Sequence, residues 1–198
     1  MKALLATLLS FALSASAATV NWTNTAGMNS TAYGPGDTIN LWGTFTNTFT
    51  ITNSGTAGNP ITFYFEPGAK FSAPTFSGNW INLDAQSWIT IDGGGHGVIE
   101  LTDNGTSVAN GGTHTYQNSV TALYGAGAGV NNITLENLTI RNLYKRQTNT
   151  EAQVSTTAAI YFIGSGLTYS NLFIDSAMSG IVQTGGLVLV QPETAKVL

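Results

Sequence analysis

Trp88-Ile-Thr-Ile-Asp-Gly93, Ile133-Thr-Leu-Glu-Asn137 and Leu167-Thr-Tyr-Ser-Asn171 are three versions of one short pattern. Each alternates apolar and polar residues and ends in Gly or Asn, the two residues that enter the left-handed backbone region at least cost. A second short strand follows each: Val98-Ile-Glu100, Leu138-Thr-Ile-Arg141 and Leu172-Phe-Ile-Asp175. Another alternating piece precedes each: Trp80-Ile-Asn-Leu-Asp84, Ala122-Leu-Tyr124 and Ala159-Ile-Tyr161. Short β-type runs alone fit a sandwich, a closed barrel or a solenoid equally well. The internal repeat decides between them. Strand, turn, strand, left-handed bend, strand and a variable loop, repeated, predict an all-β chain wound as a parallel β-helix with three short strands per coil.

The bends are spaced further apart than the about 20–25 residues a bare coil needs. The excess falls after the third strand, in Thr102–Ser119 and Lys145–Thr157, which are polar and rich in Gly, Asn and Thr. Loops leaving one corner gather on one face. Side chains alternate at period two, so Ile99, Ile140 and Ile174 are expected to point inward and Glu100, Arg141 and Asp175 outward. These three then form a column with Arg141 between two acids, read chiefly as a solvated ladder of opposite charges of small individual worth. Asn137 and Asn171 read as a stacked turn ladder.

The rest of the chain bounds these readings. Met1-Lys2, the apolar stretch Ala3–Leu13 and the small residues Ala15 and Ala17 have the pattern of a signal peptide over residues 1–17. Residues 18–186 are then the β-helix domain, and 187–198 a tail or truncated coil. No later stretch reaches about 18 apolar residues, so the mature chain is expected to be secreted, extracellular or periplasmic, and not membrane-embedded. The chain of 198 residues is 42% hydrophobic and only 8% charged, which argues against a disordered protein. A net charge of -4 without a basic run argues against nucleic acid as a partner. The absence of cysteine excludes a disulfide framework and a thiolate metal site.

The quoted motifs, with Ser87-Trp-Ile-Thr-Ile-Asp-Gly-Gly-Gly95, Asn132–Arg141 and the opening Gly34-Pro-Gly-Asp37, resemble the right-handed parallel β-helix proteins of the pectin-lyase-like superfamily. The resemblance implies the right-handed winding and a polysaccharide or cell-surface glycan as partner. It implies either a polysaccharide lyase or glycoside hydrolase, or a non-catalytic structural or adhesion module. Gly180-Ile-Val-Gln183 opens a further coil, and no polar cap follows it, so the chain is expected to be the amino-terminal part of a longer member, incomplete at its C-terminal end.

In the enzyme members the groove runs along the first strand of each coil, which here carries Asn82, Tyr124, Tyr161 and Val182, with Asp84 at the margin. Tyr124, Tyr161 and Asn82, with Tyr116 and His114 in one loop and Tyr144 near the next, are candidate sugar contacts, since tyrosine offers both a ring and a hydroxyl. Lys145 and Arg146, with Glu151 nearby, are candidates for an acidic sugar carboxylate. Asp84, Arg141 and Asp175 are the candidate catalytic residues, yet the first-strand column lacks the carboxylate pair that glycoside hydrolysis needs about 5–9.5 Å apart. His96, among glycines and beside Asp92, reads more readily as a turn residue than as a general base. No cofactor is evident and no metal ligand set is visible. Ca²⁺ enters by resemblance alone, and no acidic cluster of the density it requires is present.

Overall fold

The computed structural model describes residues 17–23, 32–103, 120–143, 158–175, 181–184 and 196–197. The strands are β1 (Thr19–Trp22), β2 (Thr38–Leu41), β3 (Thr44–Phe45), β4 (Phe49–Thr50), β5 (Ile61–Phe65), β6 (Lys70–Ala73) and β7 (Gly78–Asn82). They continue with β8 (Ser87–Leu101), β9 (Val120–Arg141), β10 (Ala158–Ser170), β11 (Phe173–Asp175), β12 (Ile181–Thr184) and β13 (Lys196–Val197). Every pairing between them is parallel. Parallel neighbours need a crossover between them, which in a solenoid is the rest of the coil. The fold is a right-handed parallel β-helix, all-β, with no helix among the described residues.

Three faces result. The first is β4, β7, the start of β9, the start of β10, and β12. The second is β1, β2, β5, the first half of β8, the middle of β9 and the second half of β10. The third is β3, β6, the ends of β8 and β9, β11 and β13. Lys196–Val197, in the segment expected as a tail or truncated coil, thus adds a rung to the third face.

Period-two alternation sends one side chain of each pair into a continuous core. Ile99, Ile140 and Ile174 stand in register and are buried, as the pattern predicts. The amino-terminal coils fill the interior with rings: Phe49 meets Phe63 at 5.1 Å, Trp22 meets Tyr33 at 5.4 Å, and Phe45 stacks on Phe71 at 5.0 Å. Later coils use Ile89, Ile91, Ile133, Leu135 and Leu167 instead. Each such buried side chain contributes about 1.5–3 kcal/mol, so the stacked core outweighs the small propensity differences along any strand.

Corner residues lock the winding. At the opening turn, Asp37 Oδ2 accepts from Gly34 N at 2.8 Å and its Oδ1 accepts from Ala18 N at 2.7 Å, tying two coils together. Between the second and third faces, Asn171 Nδ2 donates to Asn137 Oδ1 at 3.0 Å and Asn137 Nδ2 donates to Asp92 Oδ1 at 2.9 Å. Asn137 and Asn171 are left-handed, with φ of 54° and 47°. Gly93 lies beside Asn137 on the same line, but the reason for its glycine differs from the expected one. The left-handed residues at that corner are Gly94 and Gly95, because Asp92 pairs with Glu136 and Gly97 with Leu138, leaving an insertion there. Gly93 is needed for close approach: a Cβ there would run into the Asn137 carbonyl oxygen.

The charged column of the third face also needs correction. Ser72, Glu100, Arg141 and Asp175 are neighbours in register, as predicted for the last three. Glu100, however, is only 5% exposed rather than solvated. Arg141 Nη2 reaches its Oε2 at 2.6 Å and Nε donates to the same oxygen at 2.7 Å, while Lys70 Nζ lies 3.5 Å from Oε1. Long cationic side chains from two coils cover the carboxylate, which alternation alone does not reveal.

Candidate functional site: a groove on the second face

The outward positions of the second face form two ladders. One is threonine throughout: Thr19, Thr38, Thr62, Thr90, Thr134 and Thr168 are successive neighbours in register. Two residues on in each strand, the second ladder runs Asn21, Asn40, Tyr64, Asp92, Glu136 and Ser170. The residue between points inward, as Ile39, Phe63, Ile91 and Leu135 do. Threonine suits this place because its branched carbon favours strand geometry while its hydroxyl remains outside.

Two residues before each threonine lies the corner that enters the face. Trp88, Asn132 and Gly166 occupy it in successive coils, all left-handed with φ of 58°, 54° and 68°. At this corner lies a groove of about 240 Å³, lined by Gly58, Pro60, Trp88, Asn132 and Gly166 together with Thr90, Thr134 and Thr168. It follows the solenoid axis across several rungs of about 4.8 Å each. None of its lining residues is charged. Its volume is below the roughly 300–1,000 Å³ of sites that enclose a small ligand.

On the far side of the threonines the second ladder brings two carboxylates to adjacent rungs. Asp92 Oδ1 accepts from Gly94 N at 2.8 Å as well as from Asn137. Burial pushes the Glu136 carboxyl above the ordinary glutamate range, the Asp92 charge adds to that, and a hydrogen bond with Ser170 offsets part of it. His96 sits at the same corner, in edge contact with Tyr64 at 6.3 Å. Its Nε2 is 2.7 Å from the Phe65 carbonyl oxygen, which only accepts, so Nε2 carries the proton. His96 therefore ties its insertion to the preceding coil, the turn role expected of it.

The residues singled out from sequence fall elsewhere. Asn82, Tyr124, Tyr161 and Val182 do form one column, on the first face. Tyr124 and Tyr161 stack at 5.4 Å and 7°, so their facing ring surfaces are occupied by each other and their edges remain for a ligand. Asn82 Oδ1 accepts from Asp84 N at 3.0 Å and supports that left-handed turn. Asp84 follows the first face, whereas Arg141 and Asp175 belong to the third, so the winding does not unite them. Arg141 is engaged with Glu100. Tyr116, His114, Tyr144, Lys145, Arg146 and Glu151 lie outside the described residues.

The groove was missed because the repeated Thr-x-polar signal was followed in only three coils. Thr19-Val-Asn, Thr38-Ile-Asn and Thr62-Phe-Tyr continue it towards the amino terminus. Among the described residues, no group of three or more His, Cys, Asp or Glu is placed to hold a metal ion. No helix there is long and apolar enough to cross a membrane. Comparison with known proteins gives no matching family model, no matching curated protein and no matching solved structure.

Proposed function

We propose that this chain is an exported β-helix that binds polysaccharide along the groove of its second face. The observation that carries the reading is the uncharged groove itself, whose threonine hydroxyls repeat once per coil along its length. A rung of about 4.8 Å is close to the advance of one residue in an extended glycan, so successive sugars meet equivalent hydroxyl donors and acceptors. The resemblance of the coil motifs to the pectin-lyase-like superfamily and the signal-peptide pattern of residues 1–17 support the same reading. Fold resemblance alone carries no activity, so the groove is the stronger support.

The test is affinity electrophoresis or calorimetry against a panel of neutral, acidic and amino-sugar polymers, with Thr134→Val beside the native chain. Valine keeps the shape and the strand preference but removes the hydroxyl. Weaker binding by this variant at unchanged stability is the expected result, and equal binding counts against the groove. A second reading, hydrolysis, is favoured by Asp92 and Glu136 on adjacent rungs, where burial and the Asp92 charge push the Glu136 carboxyl up and Asp92 is fixed by two donors. Paired carboxyls with different environments are the acid and partner of glycoside cleavage. Release of reducing ends that Glu136→Gln abolishes without loss of binding supports it, whereas binding without turnover leaves an adhesion or structural module.

A further inference from the structure

We propose that Trp88 is the sugar-stacking residue of the groove, held in an unfavourable backbone conformation for that purpose, and that the site it serves selects neutral or amino-sugar polymers over polyuronates. This inference rests on the polysaccharide reading and names the residue and substrate class behind it.

The starting observation is a break in a repeated position. The corner entering the second face is Pro60, without a left-handed backbone, in one coil, and is left-handed in the later coils, where Asn132 and Gly166 tolerate it. The coil before them supplies tryptophan at φ 58°. A bulky residue there is an outlier that persists only where the surroundings impose it, and such outliers gather at ligand sites. No described ring contact accounts for it. Trp88 is only half-buried, and none of the described ring pairs includes it. The other indoles of the interior, Trp22 and Trp80, are buried in ring contacts on both counts. Trp88 lines the groove together with Thr90 and Pro60. An aromatic surface flanked by hydroxyls is what the apolar face and polar rim of a pyranose ring require.

The charge of the face decides the class of sugar. Among the described residues no cation lines the groove, and its next outward column carries Asp92 and Glu136. A polymer with one carboxylate per residue would meet these acids with no cation of the described lining to offset them. Neutral sugars avoid that cost, and an amino sugar gains from it.

The experiment uses the full chain with soluble neutral, amino-sugar and polyuronate oligosaccharides, following tryptophan fluorescence, affinity and urea midpoint together. The expected result is a ligand-dependent fluorescence change with neutral or amino-sugar oligosaccharides and none with polyuronate. Trp88→Asn, which installs the residue found at the same corner one coil later, should lose the change and weaken binding about tenfold or more while its urea midpoint stays equal or rises. Trp88→Phe, which keeps a ring at the same corner, should retain most of the affinity. Unaltered affinity in Trp88→Asn overturns the role of Trp88 while leaving the groove intact, provided Thr134→Val still weakens binding. Loss of binding together with a lowered midpoint in Trp88→Asn, unmatched by Trp88→Phe, makes the residue structural and overturns it too. Preferential binding of polyuronate overturns the assignment of substrate class. Absence of binding to every oligosaccharide, in native chain and variants alike, sinks the underlying polysaccharide reading with it.

Discussion

Removing either member of the Glu100–Arg141 pair should destabilise the protein by different amounts, and the burial of each partner fixes the order. The Glu100 side chain is 7% exposed, whereas those of Arg141 and Lys70 are 47% and 41% exposed. Arg141→Met leaves the carboxylate under cover with only Lys70 at 3.5 Å and Ser72 Oγ at 3.2 Å. An uncompensated buried charge costs about 3–5 kcal/mol, and the remaining partners place this case near the lower end. Glu100→Gln keeps the shape, and the two cations it releases already reach water and can rehydrate. What is lost is charge assistance to a few hydrogen bonds, about 1–2 kcal/mol. The double variant should then be no worse than Arg141→Met alone, because it carries no stranded carboxylate.

Urea unfolding followed by tryptophan fluorescence reads the difference as a shift in midpoint at shared slope. Glu100→Gln costing as much as Arg141→Met, or a double variant whose losses simply add, would refute the reasoning. The pH dependence supplies a second reading of the same group. Burial pushes the Glu100 carboxyl up, but hydrogen bonds and charge from Arg141, then Ser72 and Lys70, outweigh it and hold the group below the ordinary glutamate value. A depressed folded-state value means the stabilisation is present above the unfolded glutamate range and lost as pH falls through the folded one. Arg141→Met should therefore flatten the acid limb of the stability curve.

Glu136 has the opposite sign: its raised folded-state value means its contribution is full below the unfolded range and lost as pH rises through the folded one. Glu136→Gln should raise the thermal midpoint at neutral pH relative to the native chain, with the gain vanishing in mild acid; a pH-independent difference counts against it. Asn137→Ala should cost about 2–3 kcal/mol, combining a left-handed alanine with two lost side-chain hydrogen bonds, while Asn137→Gly should recover roughly the backbone share of that loss in the same urea assay. Tyr161→Ala should lose at least the about 0.5–1.5 kcal/mol of its stacking with Tyr124 yet leave glycan affinity unchanged, which calorimetry at the second-face groove checks directly.

The fold was legible because a solenoid writes each structural decision several times. Ile99, Ile140 and Ile174 announce the same inward position in three coils, and Asn137 and Asn171 the same bend in two. What escaped depends on distances across faces rather than on periodicity. Alternation puts Glu100 outside the sheet, and only the reach of Lys70 and Arg141 over it makes it buried. Alternation likewise places Tyr124 and Tyr161 outward, but their mutual stacking is a matter of ring orientation. Gly93 was recognised as a corner for the wrong reason, since its conformation is ordinary and the approach of Asn137 is what demands glycine.

The same redundancy tells where to look for function. In a stacked coil, a column of like residues is explained by stacking itself: a threonine beside a threonine satisfies the strand, and an asparagine beside an asparagine satisfies the bend. Such columns need no ligand to account for them. Positions that break their column are not explained in that way. Trp88 stands where Pro60 precedes and Asn132 and Gly166 follow, and the ladder of Asn21 and Asn40 gives way to Tyr64, Asp92 and Glu136 before Ser170. Trp88, Asp92 and Glu136 fall in the two coils that carry Thr90 and Thr134. A strained aromatic and a carboxylate pair each reduce the stability of a repeat that simpler residues would serve better. Their convergence on one stretch of the groove is the reason to place recognition there rather than on the better-stacked tyrosines of the first face.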